Sequence, residues 1–554
     1  MMVAGSSIAG PVRVLALGGL GEIGLNLMVV EHAGCAIVID AGVMFPPRPS
    51  FDSGLLIPDL TWLERSQLEI LGIFLTHAHE DHIGALPQLL DRFPVPVYGT
   101  ALTLAFARRR LSQNQQSGGA RLNTFKPGDR IVLGPFTVEP IRVTHSTPDS
   151  VALAIGTPAA MIVHSGDFKI DDAPVDGQRF DTRRFAELGN QGVDLLLSDS
   201  TNVERAGRAG SESSVGPVLR DQIARCHGKF FLAAFSSHLH RIRQVIEVSR
   251  EAGRLVVPIG RRMNESVRLG IELGELRFPP GTLIDPAEAE FLAPKHLTFL
   301  AGGSQAEPLS ALTRLAADSF PRVRIDPGDT VVLSSRFIPG NERPIHTLIN
   351  DLYKMGADVV YQTIAPVHVS GHASRDELIE LIQLVRPRHF VPIHGEYRHL
   401  KRHLELAIET GLTPGNCFLL ENGDSLVLET ARGARRGASV RAGRVAIEGD
   451  DPAIAEERRV LARDGAVMVI VAVSASGEIV AGPDVISRGF TSGNGNSTLL
   501  REAGAELKSR LRAIPGANEL GAAELRKEIV RTLHRYFKET TGRYPMVVPH
   551  VMEM

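Results

Sequence analysis

Positions 77 to 82 read His-Ala-His-Glu-Asp-His, directly behind the apolar run EILGIF and inside the longer string FLTHAHEDHIG. The apolar run predicts a buried strand, so three histidines and an aspartate gather where that strand ends. A solvated polar turn carries such residue types too. A metal site is the sharper reading, because neutral histidine nitrogens and aspartate oxygens ligate zinc and related divalent cations. In a loop leaving a strand, the alternating His77 and His79 turn into one cavity, and the adjacent Asp81 and His82 address a second cation. His145 in RVTHSTPDS, Asp167 in MIVHSGDFK and His394 in FVPIHGEYRH stand at later predicted strand ends. An aspartate such as Asp167 can bridge two cations and offset the charge that opposes their approach. His164 lies inside a strand-like run and is read as packed or hydrogen-bonded. Such a pattern requires a fold in which distant strand ends meet.

At 554 residues the chain is too long for one ordinary core, and its 43% hydrophobic content permits two or three domains. Lys plus Arg total 60 against 63 Asp plus Glu, which excludes a histone-like polycation and leaves room for a small basic channel. Cys35, Cys226 and Cys417 are far apart and make neither a disulfide scaffold nor a CxxC knuckle, so a reducing, cytoplasmic compartment is expected. The opening residues lack a basic n-region, and Gly, Pro or charge interrupts every later apolar run, so no intrinsic membrane segment is expected.

Gly19, Gly21 and Gly24 in LGGLGEIG satisfy G-x-G-x-x-G. A dinucleotide site needs a helix immediately afterwards, whereas LNLMVVE and AGCAIVID read as two strands joined at HAG; no nucleotide cofactor is expected. Further short apolar runs alternate with helical candidates such as ALTLAFARRRL. The Gly/Ser-rich TNVERAGRAGSESSVG closes a first α/β part, 1–210. Residues 211–360 repeat an α/β rhythm that predicts an inserted domain with its own parallel sheet. DVVYQTIAPVHVSG and HFVPIHGE then resume the strand-end histidines, so 361–440 are expected to complete the first domain. ARGARRGASVRAGR marks a flexible connection or a basic edge, 441–455 a linker, and 456–554 a small C-terminal α/β domain.

Asp40 in VIDAG, the string from His77 to His82, His145 and Asp167 together resemble the motif series of the metallo-β-lactamase-fold hydrolases. The resemblance implies one cation held by His77, His79, His145 and Asp167, and another held by Asp81, His82, Asp167 and His394. Asp40 then supports the ligands by hydrogen bonding. LLLSDSTNVE, SSRFIPGNE, HVSGHAS and VPIHGE resemble the nucleic-acid-processing β-CASP branch. With LGGLGEIG, AGGSQAEP and the terminal RYPMVVPHVMEM, they resemble the bacterial ribonuclease J family over nearly the whole chain. The implied fold is α/β: a metallo-β-lactamase αββα sandwich, an inserted β-CASP α/β domain and a small C-terminal α/β domain.

The same resemblance implies two Zn2+ ions, with Mn2+ or Mg2+ as alternatives, and metal-dependent hydrolysis of RNA phosphodiesters. The expected enzyme is a 5′-to-3′ exoribonuclease favouring single-stranded RNA with a 5′ monophosphate, with internal cleavage also allowed, in RNA maturation and decay. Asp81 and Asp167 act through the metals, and Asp199 and His372 match the branch's extra acidic and histidine motifs. Ser370, Gly371, His372 and Ala373 are expected to cup the terminal phosphate, small residues letting backbone N–H groups approach its oxygens. Ser236 and Ser237 are candidate phosphate contacts or helix caps. Phe45 faces a base or packs a loop; Arg261 and Arg262 track the RNA backbone or are ordinary surface; His368 orients its neighbours. A homodimer or homotetramer and RNA-decay proteins are the expected partners. A DNA-directed nuclease of the same branch is the main alternative, ahead of a small-molecule metallo-hydrolase and a noncatalytic RNA-binding scaffold.

Overall fold

A computed structural model describes residues 10–44, 55–113, 119–307, 309–338, 340–429, 433–447, 460–461, 463–474, 479–491, 498–512 and 522–553. The chain forms two compact units, one within 1–47 and 56–445, the other within 48–55 and 446–554.

Two sheets face each other in the first unit. One has eight strands in the order Gly433–Arg436, Ser425–Glu429, Val12–Gly18, Leu27–His32, Cys35–Ile39, Glu69–Phe74, Val97–Gly99 and Leu122–Thr124. The other has six, in the order His389–Ile393, Leu195–Asp199, Met161–His164, Val151–Gly156, Phe136–Arg142 and Ile131–Leu133. Alternating side chains fill the space between them: Val14, Val30, Ile37 and Phe74 from the first sheet meet Val138, Leu153, Ile162 and Val391 from the second. On its other face the six-stranded sheet buries Val163, Leu196 and Phe390 against Phe185, Leu381 and Leu406 of three helices, Thr182–Gln191, Arg375–Val385 and Tyr397–Glu409. Ala101–Gln113 packs over the far strands of the eight-stranded sheet, completing an αββα sandwich.

Strand direction decides where ligands emerge. Cys35–Ile39 and Glu69–Phe74 run parallel, with Ile39 beside Phe74, so Asp40 and the histidine string leave the sheet at one edge. Met161–His164, Leu195–Asp199 and His389–Ile393 are parallel in the other sheet, with His164 level with Leu197 and Asp199 with Ile393. Asp167, Asp199 and His394 therefore emerge together, at the carboxyl ends where open α/β sheets leave polar side chains to face a crevice.

The inserted domain has a five-stranded, wholly parallel sheet: Leu255–Ile259, Leu297–Ala301, Phe230–Ala233, Thr330–Leu333 and Asp358–Val360. DVVYQ thus closes the inserted sheet instead of resuming the first domain, and the HVS residues that follow lie in a loop. Gly433–Arg436 is the edge strand of the large sheet, which makes GARR an edge and not a free connection. The glycine-rich turn has no helix behind it: Gly19, Gly21 and Gly24 take positive φ, and Leu27–His32 follows as a strand.

The second unit is a three-stranded sheet, ordered Ile479–Arg488, Ala466–Val473, Met546–Glu553, with helices Thr498–Arg512 and Ala522–Thr541 on one face. Val467, Val469 and Val471 pack there against Leu507, Ile529 and Phe537. Among the described residues no helix is long and apolar enough to cross a membrane.

Candidate metal centre

The strand Glu69–Phe74 is brought to a defined stop by Asp40, which accepts hydrogen bonds from the Thr76 amide and hydroxyl, both at 2.8 Å. His79 stays extended (φ −72, ψ 147) as the residue before the short helix Glu80–Ile83. This change of backbone state sends His77 and His79 to one side of the cavity and lets the helical turn present Asp81 and His82 to another. Glu80 lies away from both sets, its carboxylate 3.9 Å from Arg110.

Three overlapping groups of ligand-type atoms result among the described residues: His77, His79, His145 and Asp167; Asp81, His82, Asp167 and His394; and Asp167, Asp199, His372 and His394. In the first, His79 Nδ1 is 2.9 Å from His77 Nε2 and 3.2 Å from His145 Nε2, and Asp167 Oδ2 lies 3.6 and 4.0 Å from those two Nε2 atoms. In the second, Asp167 Oδ2 is 3.3 Å from His82 Nε2 and 3.4 Å from His394 Nε2, which stand 3.6 and 3.4 Å from Asp81 Oδ2. Ligands about 2.0–2.2 Å from one tetrahedral cation stand roughly 3.4 Å apart, so the residues present fit two divalent cations sharing the Asp167 oxygen. Without a cation these contacts are hydrogen bonds whose direction the tautomer sets, and with one the same atoms are spaced as its ligands.

The outer nitrogens are held in turn. His82 Nδ1 donates to Asp40 Oδ2 at 2.7 Å, His145 Nδ1 to the Gly371 carbonyl at 2.7 Å, and His77 Nδ1 to the Thr76 hydroxyl at 3.1 Å. His394 Nδ1 donates to the Thr201 hydroxyl at 2.8 Å, which itself donates to Asp199 Oδ1 at 2.7 Å. Each contact orients its ring with Nε2 toward the cavity, where the neutral ring with Nδ1 as donor can offer a lone pair. Close packing adds to this, because a Cβ on Gly371 would sit 2.9 Å from the His145 ring.

Burial pushes His77 and His145 well below the ordinary imidazole value and His79 down to about 4, keeping these rings neutral as ligation requires. Burial acts the same way on His82 and His394. There the charges of Asp167 and Asp81 outweigh it, holding His82 well above its usual value and His394 up at about 9.

Asp199 and His372 stand beside the bridging aspartate: His372 Nδ1 is 2.8 Å from Asp199 Oδ2 and 4.0 Å from Asp167 Oδ2. Burial opposes charge on His372, but Asp199 more than offsets it and raises the imidazole's pKa. In the adjoining loop, Ser370 Oγ accepts from Asn202 Nδ2 at 2.6 Å and from the His372 amide at 3.2 Å. The Ala373 amide donates to the Phe168 carbonyl at 2.6 Å. Two of the amides read as a phosphate cup are thus consumed inside the protein.

Ser236 and Ser237 lie half-buried behind Phe230–Ala233, and His238, not either serine, caps the helix Leu239–Glu251 by accepting from the Arg241 amide. Arg261 and Arg262 are exposed at the start of Arg261–Glu272. His368 lies near Arg241 and Glu212, its buried Nδ1 without a hydrogen-bond partner among the described residues. His164 is buried and accepts from the Gly166 amide at 3.1 Å. Phe45 lies outside the described residues. Sequence reasoning passed over Thr76, Thr201 and Asn202, although Thr76 directly precedes the histidine string and the other two directly follow the SDS motif.

Comparisons with known proteins agree along the length of the chain. Residues 20–194 match the Metallo-beta-lactamase superfamily, 227–352 the Ribonuclease J beta-CASP domain, 356–419 the Zn-dependent metallo-hydrolase RNA specificity domain, and 453–554 the Ribonuclease J C-terminal domain. Ribonuclease J of Mycobacterium tuberculosis (strain H37Rv) is 38% identical over 556 residues, covering 99% of both chains. Ribonuclease J 1 of Streptococcus pyogenes is 35% identical, covering 98% of this chain and 97% of its own. Ribonuclease J2 of Bacillus subtilis is 34% identical, with 98% and 99% covered. A crystal structure of a protein of unknown function from Enterococcus faecalis V583 superposes with a TM-score of 0.54 at 18% identity, covering 76% of this chain and 100% of that one, and speaks to the fold alone.

Proposed function

This chain belongs to the ribonuclease J family of metal-dependent RNA hydrolases, in the β-CASP branch of the metallo-β-lactamase fold, and we propose that it degrades RNA from the 5′ end. The observation that carries the reading is the Asp167 oxygen shared by two ligand sets, with the Asp199–His372 pair beside it. Two divalent cations bound there would lower the pKa of water and offset charge growing on the phosphate oxygens. Zinc suits the histidine-rich first set, and Mn2+ or Mg2+ is the alternative for the oxygen-richer second. Asp199 holds His372 Nδ1, which leaves Nε2 as the group that donates a proton or hydrogen bond to the departing oxygen. The Gly371 amide, the Ser370 hydroxyl and the His372 ring remain to receive a terminal phosphate, and Ser236 and Ser237 of the inserted domain contact the following strand.

A 5′ monophosphate gains directed hydrogen bonds that a 5′ hydroxyl lacks, and each cut presents a fresh one. Internal cleavage occurs when RNA reaches the metals without using that loop. The division into 1–210, 211–360, 361–440, the linker 441–455 and 456–554 belongs to the same reading, as does a cytoplasmic enzyme working with RNA-decay proteins. Met468, Ile486, Val548 and Met552 share the open face of the second unit's sheet, which supports a homodimer or homotetramer. Sedimentation over the active concentration range checks it; a monomer throughout contradicts it. Matched RNAs with a 5′ monophosphate, triphosphate or hydroxyl and a 3′ label test polarity. The monophosphate is expected to be degraded fastest, and equal rates for all three would sink terminal-phosphate recognition.

A further inference from the structure

Several buried or half-buried guanidinium groups in this chain pair with a carboxylate: Arg184 with Glu139, Arg109 with Glu265, and the fully buried Arg241 with Glu212. Two arginines beside the proposed phosphate loop break the habit. Arg336, exposed just beyond the inserted strand Thr330–Leu333, donates from Nη1 to the neutral amide oxygen of Asn202 at 2.8 Å and has no carboxylate partner among the described residues. Arg205, half-buried in the turn after Asp199, has no acceptor for its guanidinium among the described residues. Its amide donates to the Asn202 carbonyl at 2.9 Å, so both arginines are anchored on the same residue. The third cation of the group, Arg398, is already paired with Glu204 and Glu396, and Glu204 is also taken by Arg402.

Asn202 joins this pair to the catalytic loop. Buried at 2% exposure, it donates from Nδ2 to Ser370 Oγ at 2.6 Å and to the His372 carbonyl at 3.1 Å. Burial, and after it the charges of Arg205 and Arg398, lowers the pKa of Arg336, so the guanidinium groups are near enough to repel. Like charges held together without a counter-ion are stabilised when a ligand supplies one, and the planar guanidinium fork matches phosphate oxygens in pairs.

We propose that Arg205 and Arg336 form an anion subsite that takes a phosphate group of the RNA strand, and that Asn202 is the positioning residue that ties this subsite to Ser370 and His372. The inference rests on the RNA reading but not on its 5′ polarity. The phosphate comes either from an internal phosphodiester or from the 5′ terminus, and one experiment separates them. Full-length protein, its metals removed by chelation to prevent cleavage, is titrated with a single-stranded RNA carrying a 5′ hydroxyl or a 5′ monophosphate over a range of salt. Arg205→Met and Arg336→Met should each weaken binding about tenfold and flatten the log–log salt dependence by about 0.7 per lost phosphate contact. Arg205→Lys and Arg336→Lys should recover most of the salt slope, since charge is kept while the fork is lost. Equal weakening on both RNAs assigns an internal phosphodiester, and weakening confined to the monophosphate RNA assigns the terminal group; either supports the subsite. Wild-type affinity and slope in a folded Arg205→Met/Arg336→Met protein would overturn it, even if the wild type still degrades RNA. Equal degradation of both RNAs by the wild type would instead sink the 5′ polarity and leave the subsite measured on the hydroxyl RNA.

Discussion

The metal cavity and the junction that roots the inserted domain are both buried and polar, yet their side chains are arranged in opposite ways. In the cavity, imidazole lone pairs converge: His79 Nδ1 faces His77 Nε2 and His145 Nε2 at 2.9 and 3.2 Å. At the junction each guanidinium nitrogen of the fully buried Arg241 has an acceptor. Its Nε and Nη2 reach the Glu212 carboxylate at 2.7 and 2.9 Å, and its Nη1 reaches the Ser334 hydroxyl and the Val367 carbonyl. Glu212 stands on the segment entering the inserted domain and Val367 on the segment leaving it, so one side chain ties both crossings. A cluster built on a buried charge pair holds a structure together, whereas ring nitrogens and carboxylate oxygens that converge on one cavity suit a cation.

The largest effect expected from breaking the contrast is on the cavity side. Asp167→Ala removes the shared oxygen and several kcal/mol of transition-state stabilisation, so turnover should fall by at least about 10³-fold with circular dichroism near wild type. Normal turnover by the folded variant after stringent metal removal would defeat the two-cation site. At the junction the effect moves to stability. Arg241→Met strands a buried carboxylate and should cost about 3–5 kcal/mol in denaturant unfolding, part of it regained in Arg241→Met/Glu212→Leu. A single variant as stable as wild type would show that the junction is not a fastening.

Support of the ligands comes next. Asp40→Ala frees His82 Nδ1 and should weaken metal affinity by about 10–100-fold, read by titration calorimetry, without the stability loss of the junction variants. The smallest effect is the junction's response to acid. Burial alone would raise the Glu212 carboxyl, but Arg241 and then His238 outweigh it and hold it well below its ordinary value of 4.5. Its contribution is therefore complete above that value and is lost as pH falls below it, by at most about 1.4 kcal/mol per pH unit for one group. The double variant Arg241→Met/Glu212→Leu should lack this increment between pH 4.5 and 3.5; an identical acid profile in both proteins would remove Glu212 from the account.

Much of the cavity was legible because its ligands are local to strand ends. The string from His77 to His82 packs four of the expected ligands into six positions, and His145, Asp167 and His394 each follow a run of strand-forming residues. The glycine decoy was also legible, since β-branched residues where a helix was needed spoke against a nucleotide site. Other features were not. DVVYQ reads equally well as a strand of either sheet, and only its pairing with Thr330–Leu333 assigns it. Ser236 and Ser237 had the right chemistry for a helix cap, yet the chain turns so that His238 takes that place. The Ala373 amide looked free until the fold set it against the Phe168 carbonyl.

The sequence by itself determined the two α/β rhythms, the donor types and the strand ends on which they sit, because side-chain period and ligand chemistry are properties of a few adjacent residues. Only the tertiary structure decided that Thr76 and Thr201 join Asp40 in orienting the imidazoles, and that Arg205 and Arg336 are left without acids among the described residues. These follow from strand register and from which hydrogen-bonding groups are consumed across separations such as the 193 residues between Thr201 and His394, and no local string encodes them.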